Sequence, residues 1–258
     1  MGGRIQSIGT FDANFGLTRR VVSVDRRRGE RRFVSRGAGR VSWHSFSFGD
    51  HYDPANTGFG FLLASNHEEL APGGGFDEHR HRDIEIVTWL ISGELVHAHS
   101  GGSPIGVSPG VVQRLSAGSG VTHSERNAST VAPVEFVQMW IVPDSVDRPP
   151  DYASADVNGE LGSGSWVPIV GGAGAPISIR QPAATLCVAR PRAGTRLELP
   201  EAGLLHLYVS RGSMRLADER YVAGDAARIV AARDLTLTAG AEPTELLVWA
   251  MTDRSERL

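Results

Sequence analysis

The sequence predicts an all-β protein: an antiparallel sandwich or barrel, present twice. Three observations carry this. Short runs rich in β-branched and aromatic residues recur between clusters of Gly, Pro, Asn, Asp and Ser. No stretch sustains the 3.6-residue apolar period of an amphipathic helix. The second half also echoes the first, Leu205–Leu216 repeating the pattern of Thr88–Leu95 and Ala223–Ile229 that of Pro109–Leu115, with Gly212 and Gly224 standing where Gly93 and Gly110 stand. A strand, a glycine turn, a strand and a further glycine leading into another strand, in both halves, point to duplication.

Taken in order, residues 1–42 hold ten arginines against Asp12, Asp25 and Glu30. A nucleic-acid arm or an organelle-type leader would use such a segment, but a solvated extension with one edge strand near Arg20–Val24 is the simpler reading. Residues 43–143 form the first domain. Trp43–Phe48 alternates aromatic and small polar residues, Gly49–Asn56 is a turn cluster, Gly58–Leu63 is a short strand, and Ala71–Gly75 is a flexible approach to the next one. Ile84–Ile91 reads as a strand with Ile86, Thr88 and Leu90 on the face opposite Glu85, Val87 and Trp89. Turns at 92–94, 100–106 and 108–110 separate the strands Leu95–His99 and Val111–Leu115, the glycines of Ser116–Gly120 allow close backbone approach, and Val134–Val142 closes the domain. His44 and His51 could stand at a pocket rim, but a plain structural role is the simpler reading. Residues 144–165, rich in Pro, Asp, Gly and Ser, read as a linker with one short helix near Ala153–Leu161. Gly171–Pro176 is a turn rather than a nucleotide loop, because no helical pattern follows it. Residues 166–258 form the second domain, whose histidine content is His206 alone, so it is expected to hold no metal.

Composition excludes several functions. The chain has 258 residues and a formal net charge of −3, which gives a nucleic-acid or membrane-surface role no support. No run of apolar residues is long enough to span a bilayer, and the opening residues lack the apolar core of an export signal, so a cytoplasmic location is expected. One cysteine, Cys187, cannot close an internal disulfide and sits in an apolar run that reads as core. Lysine is absent altogether, which excludes Schiff-base chemistry and a P-loop lysine.

Two runs carry the chemistry: Gly75–Glu85, containing His79, His81 and Glu85, and Gly118–Asn127, containing His123 and Glu125. Side chains alternate faces along a strand, so His79, His81 and Glu85 at odd positions of one extended run point the same way, and His123 and Glu125 repeat the i, i+2 geometry. A lone histidine in a strand is usually an ordinary polar group. Two His/Glu clusters some forty residues apart in sequence are a different matter. Meeting across a narrow barrel, they would hold one divalent first-row ion, with Fe(II) the expected case and Mn, Co, Ni or Cu as substitutes. Phe76, Trp89 and Met139 are candidates for an apolar pocket lining.

These runs resemble the paired motifs of cupins, and in detail the chain resembles the pirin family, specifically its bacterial quercetinase-like bicupins. The anchors span Trp43 to Met251: His44-Ser-Phe-Ser-Phe-Gly-Asp50, His79-x-His81-x-Asp-x-Glu85, Ser116-Ala-Gly-x-Gly-x-x-His123-Ser-Glu125 and Val137-Gln-Met-Trp-Ile-x-Pro143. The resemblance implies two cupin barrels of the double-stranded β-helix, or jelly-roll, type, packed as a bicupin with one metal in the first. It implies His79, His81, His123 and Glu125 as ligands, with Glu125 also the catalytic base. Cupins in general take the carboxylate from the first motif, which leaves Glu85 as the alternative ligand or as a group that orients a histidine. Arg80 stands where the family usually has proline, and His99 where it often has an acid. The implied activity is flavonol cleavage by dioxygen, as in quercetin 2,3-dioxygenases; the alternatives are a non-enzymatic iron-dependent regulator that binds a protein partner, or an oxygenase for another phenol or enol. A monomer is expected, acting on a small phenolic substrate with O2 and without membrane or nucleic-acid partners.

Overall fold

The computed structural model describes residues 22–253. The first eleven strands are β1 (Ser23–Arg27), β2 (Phe33–Gly37), β3 (Arg40–His44), β4 (Leu62–Leu70), β5 (Gly75–His81), β6 (Glu85–Ser92), β7 (Leu95–His99), β8 (Ile105–Val107), β9 (Val111–Ser116), β10 (Val121–Asn127) and β11 (Val134–Ile141). They are followed by β12 (Asp151–Asp156), the short helix α1 (Asn158–Leu161), β13 (Val167–Val170), β14 (Ala184–Ala189), β15 (Arg196–Glu198), β16 (Ala202–Arg211), β17 (Ser213–Leu216), β18 (Glu219–Val222), β19 (Ala226–Ala232), β20 (Thr236–Ala239) and β21 (Glu245–Met251). The fold is all-β, as the sequence predicts. The chain divides into two compact units: one comprises Arg32–Gly162 with Pro168–Pro182, and the other holds, among the described residues, 22–31, 163–167 and 183–253.

The first unit has two antiparallel sheets, ordered β12-β9-β6-β11-β4-β3-β2 and β5-β10-β7-β8. Their inner faces meet through Leu70, Leu90, Leu95, Val107, Val134 and Phe136, and through a second cluster of Ile84, Ile86, Leu115, Ala117 and Val121. Each fully buried aliphatic side chain contributes about 1.5–3 kcal/mol relative to exposure. Strand β6 is buried on both faces from Glu85 to Ile91, which is why it reads as a nearly unbroken apolar run. Its turn into β7 needs Gly93: φ is +80, and a Cβ there would lie 2.8 Å from the Pro133 carbonyl oxygen.

The second unit repeats the plan with strands β1-β19-β16-β21-β14 in one sheet and β15-β20-β17-β18 in the other. Its core includes Leu205, Leu207, Met214, Tyr221, Ile229, Leu237 and Val248. Cys187 belongs to that core, where burial pushes its thiol up to about 11, so it is an inert hydrophobe at neutral pH.

The unit boundaries depart from those suggested by composition. Asp151–Asp156, inside the expected linker, is a strand paired with β9 from Asp151↔Ser116 to Asp156↔Val111; the expected helix is confined to Asn158–Leu161. The expected edge strand near Arg20–Val24 is found as Ser23–Arg27, with Arg20 and Val21 outside the described residues. Strand β1 pairs with β19 of the second unit, Ser23↔Val230 through Arg27↔Ala226. Asp225 fixes the end of that strand, accepting hydrogen bonds from Arg28 Nη1 at 2.9 Å and the Gly29 amide at 2.8 Å. The polar sequence of Asp151–Asp156 hid that strand, because an edge strand keeps one face in water.

Candidate metal centre

Strand β10 lies between β5 and β7. On one side His123 is paired with His79 and Val121 with His81; on the other His123 is paired with His99 and Glu125 with His97. Directly paired residues share a face of an antiparallel sheet, and so do residues two apart along a strand. One face therefore gathers His79, His81, His123, Glu125, His97 and His99. A register shift between His123 and Glu125 puts Phe76 opposite Glu125. This bulge brings the Phe76 ring to 6.3 Å from that of His79, while Asp77 stays exposed and pairs with Arg126.

Donor atoms of His79, His81 and His123 all lie within 4.8 Å of one another, and so do those of His97, His123 and Glu125. Ring centroids are 4.5 Å apart for His79 and His123, 4.7 Å for His79 and His81, and 5.1 Å for His97 and His123. His79 and His81 are partly exposed; His97, His123 and Glu125 are buried. Burial, helped by the neighbouring imidazole of His79, holds His81 down at about 4, and burial holds His123 down at about 3. Both imidazoles are neutral at pH 7, the state in which nitrogen can bind a metal.

Glu125 is fixed by three donors. Its Oε1 accepts from Gln113 Nε2 at 2.9 Å and Thr88 Oγ1 at 3.5 Å, and its Oε2 from Gln138 Nε2 at 2.6 Å. Burial pushes the carboxyl pKa up, but His97, His123 and the Gln138 amide outweigh it, and the net shift is downward. A buried carboxylate among imidazoles, some with no hydrogen-bond partner on a buried nitrogen, is a group that could hold a metal ion.

Three residues expected at the site are elsewhere. Thr88 reaches Glu125, so alternation along β6 turns Glu85 and Trp89 to the opposite face. Glu85 Oε2 instead accepts from Ser116 Oγ at 2.7 Å and the Arg180 amide at 3.4 Å, so it neither joins the cluster nor orients a histidine. The expected alternation from His81 to Glu85 fails because Gly75–Glu85 is not one strand: Asp83, at φ 50, breaks it between β5 and β6. Met139 is paired with Val87 on that same outer side, leaving Gln138 and Trp140 inside. The sequence reading missed His97, Gln113, Gln138 and Tyr152. His97-Ala-His99 carries the same i, i+2 signal as His79-Arg-His81; the glutamines carry no signal without the register.

A family model described as Pirin matches residues 25–141. A protein of Mycobacterium tuberculosis provisionally named quercetin 2,3-dioxygenase is 43% identical over 229 residues, covering 86% of this chain and 93% of its own length. Quercetin 2,3-dioxygenase of Escherichia coli K12 is 40% identical over 111 residues, 43% of this chain and 48% of that protein. Among solved structures, YhhW of Escherichia coli superimposes with a TM-score of 0.82 at 24% identity, covering 89% of this chain and 98% of that one. A nickel(II) complex of the same bacterial pirin gives 0.80 at 23% identity, with 89% and 99% covered.

Proposed function

The chain belongs to the pirin family, and we propose that it is a metal-dependent dioxygenase that cleaves a flavonol such as quercetin with O2, through a centre held by His79, His81, His123 and Glu125. The observation that carries this reading is the convergence of several imidazoles and one buried carboxylate on a single face of β5, β10 and β7. Fe(II) is the proposed ion, with Ni(II), Mn(II), Co(II) or Cu(II) as substitutes.

When bound, the metal supplies Lewis acidity toward the substrate oxygens and a site for dioxygen chemistry. The protein does the rest. His79 and His81 stand at the accessible side of the cluster, so a planar phenol reaches the centre past them. Phe76 beside His79, and Trp140 edge-on to His81 at 4.9 Å, supply apolar walls for its rings. Glu125, ionised and held by two amides, is the proposed acceptor for the proton of the 3-hydroxyl. Dioxygen adds both atoms to the ring-opened ester, and the carbon between the two cleaved bonds leaves as carbon monoxide.

Partial exposure of His79 and His81 favours catalysis over a purely structural, regulatory ion. The test is anaerobic loading with each metal in turn, followed by oxygen and quercetin. Loss of the flavonol with release of carbon monoxide is expected; no ring-cleaved product with any of the five metals overturns the reading.

A further inference from the structure

The geometry points to a second, deeper position for the ion in the same barrel, held by His97, His123 and Glu125, beside the outer position of His79, His81, His123 and Glu125, with which it shares His123 and Glu125. It rests on the metal reading above and adds a ligand that reading does not contain.

Both triads have donor atoms within 4.8 Å of one another, and they share His123. His97 is 1% exposed, and neither of its ring nitrogens has a hydrogen-bond partner. Its Nδ1 lies 3.7 Å from Glu125 Oε1, too far for a hydrogen bond but a normal spacing for two donors on one cation. Both nitrogens of His123 are likewise buried without a partner. Orphaned buried polar atoms are costly, so two adjacent imidazoles left this way call for an occupant. Glu125 Oε1 has room for it: Gln113 holds it at 2.9 Å, and Thr88 only at the 3.5 Å limit of a hydrogen bond. Tyr152 stacks on His97 with centroids 5.1 Å apart and an interplanar angle of 29°, which restrains the ring's orientation.

The two positions differ in chemistry. The outer one adds the imidazoles of His79 and His81, both partly exposed, to that of His123 and the Glu125 carboxylate. The inner one offers two imidazoles and a carboxylate, the donor set of non-haem Fe(II) centres, in a fully buried setting. An ion entering past His79 and His81 can therefore pass to the inner triad by exchanging those two nitrogens for His97 while keeping His123 and Glu125.

The test uses Co(II) added anaerobically to the full chain, read by elemental analysis after gel filtration and by the d–d absorption spectrum. The double variant His79→Ala/His81→Ala is expected to retain one Co(II) per chain with an altered spectrum, and adding His97→Gln to abolish binding. A folded double variant without cobalt, alongside wild type that binds it, overturns the inner position and leaves the outer centre standing; wild type without cobalt overturns both. If the double variant does not fold, His97→Gln alone decides. A changed cobalt spectrum and weaker retention against a chelator support the proposal, and a spectrum and affinity identical to wild type overturn it.

Discussion

Gln113 and Gln138 hold the Glu125 carboxylate in place, and each is itself held by an aromatic donor. Tyr152 Oη donates to Gln113 Oε1 at 3.0 Å, and Trp140 Nε1 donates to Gln138 Oε1 at 3.2 Å. An indole can only donate, so the Gln138 amide must turn its oxygen toward Trp140 and its NH2 toward Glu125, which is then an acceptor on both oxygens. Replacing Gln138 with Leu removes one of these donors. The expected result is metal affinity lowered by about 10–100-fold, measured by chelator competition, with the fold retained. A second buried carboxylate behaves in the opposite way. Burial pushes Glu68 up to about 8 from an ordinary value of 4.5, against the Ser42 hydroxyl that donates to it. Its folded-state pKa is raised, so its contribution to stability is complete below about pH 4.5 and is lost as pH rises through 8. Wild-type urea stability should fall across that window by up to about 1.4 kcal/mol per pH unit from this group, and Glu68→Gln should flatten the slope; an unchanged slope refutes the assignment. His79, His81, His123 and Glu125 were legible because their spacing survives in the strands. The inner faces of β9 and β11 were not, because glutamine in a strand is an ordinary residue until its register is known.

At the scale of strands, the centre depends on how closely β5 and β10 approach. Gly75 opens β5, and a Cβ there would lie 2.3 Å from the Glu125 carbonyl oxygen and 2.9 Å from the Arg126 Cα. These are backbone atoms that cannot swing aside. Gly75→Ala should destabilise the protein by about 1–3 kcal/mol by pushing the two ligand strands apart, and weaken metal binding with it; a melting temperature and metal affinity equal to wild type would contradict this. The bulge between His123 and Glu125 acts through the same pairing, since it replaces Asp77 by Phe76 on the ligand face. Period-two alternation located the strands Leu95–His99 and Val134–Ile141 to within a residue. It failed where a strand ended unseen, at Asp83, and the loss of phase there turned Glu85 and Trp89 outward; Met139, on β11, follows its partner Val87 to the same side.

For the molecule as a whole, the metal should act as a folding ligand. Binding to the native state alone stabilises by about 2.7 kcal/mol at a hundred times the dissociation constant, so Co(II) or Ni(II) should raise the melting temperature and a chelator should return it to the metal-free value. A melting temperature indifferent to both would separate the buried histidines from any metal. The two-unit plan was visible as an internal echo, yet its limits were not: residues 22–31 belong with the C-terminal strands, and 168–182 with the N-terminal ones. Of the nine histidines in the chain, motif spacing set His79 beside His81 and His123 beside Glu125 on strand faces, while the choice of Glu125 over Glu85 came from the family resemblance. Only the tertiary structure decided that His97 joins them, that Glu85 does not, and that two glutamines hold the carboxylate. Those facts depend on pairing between strands far apart in the chain, and a register is set by turns, bulges and the packing of both sheet faces together rather than by any local pattern.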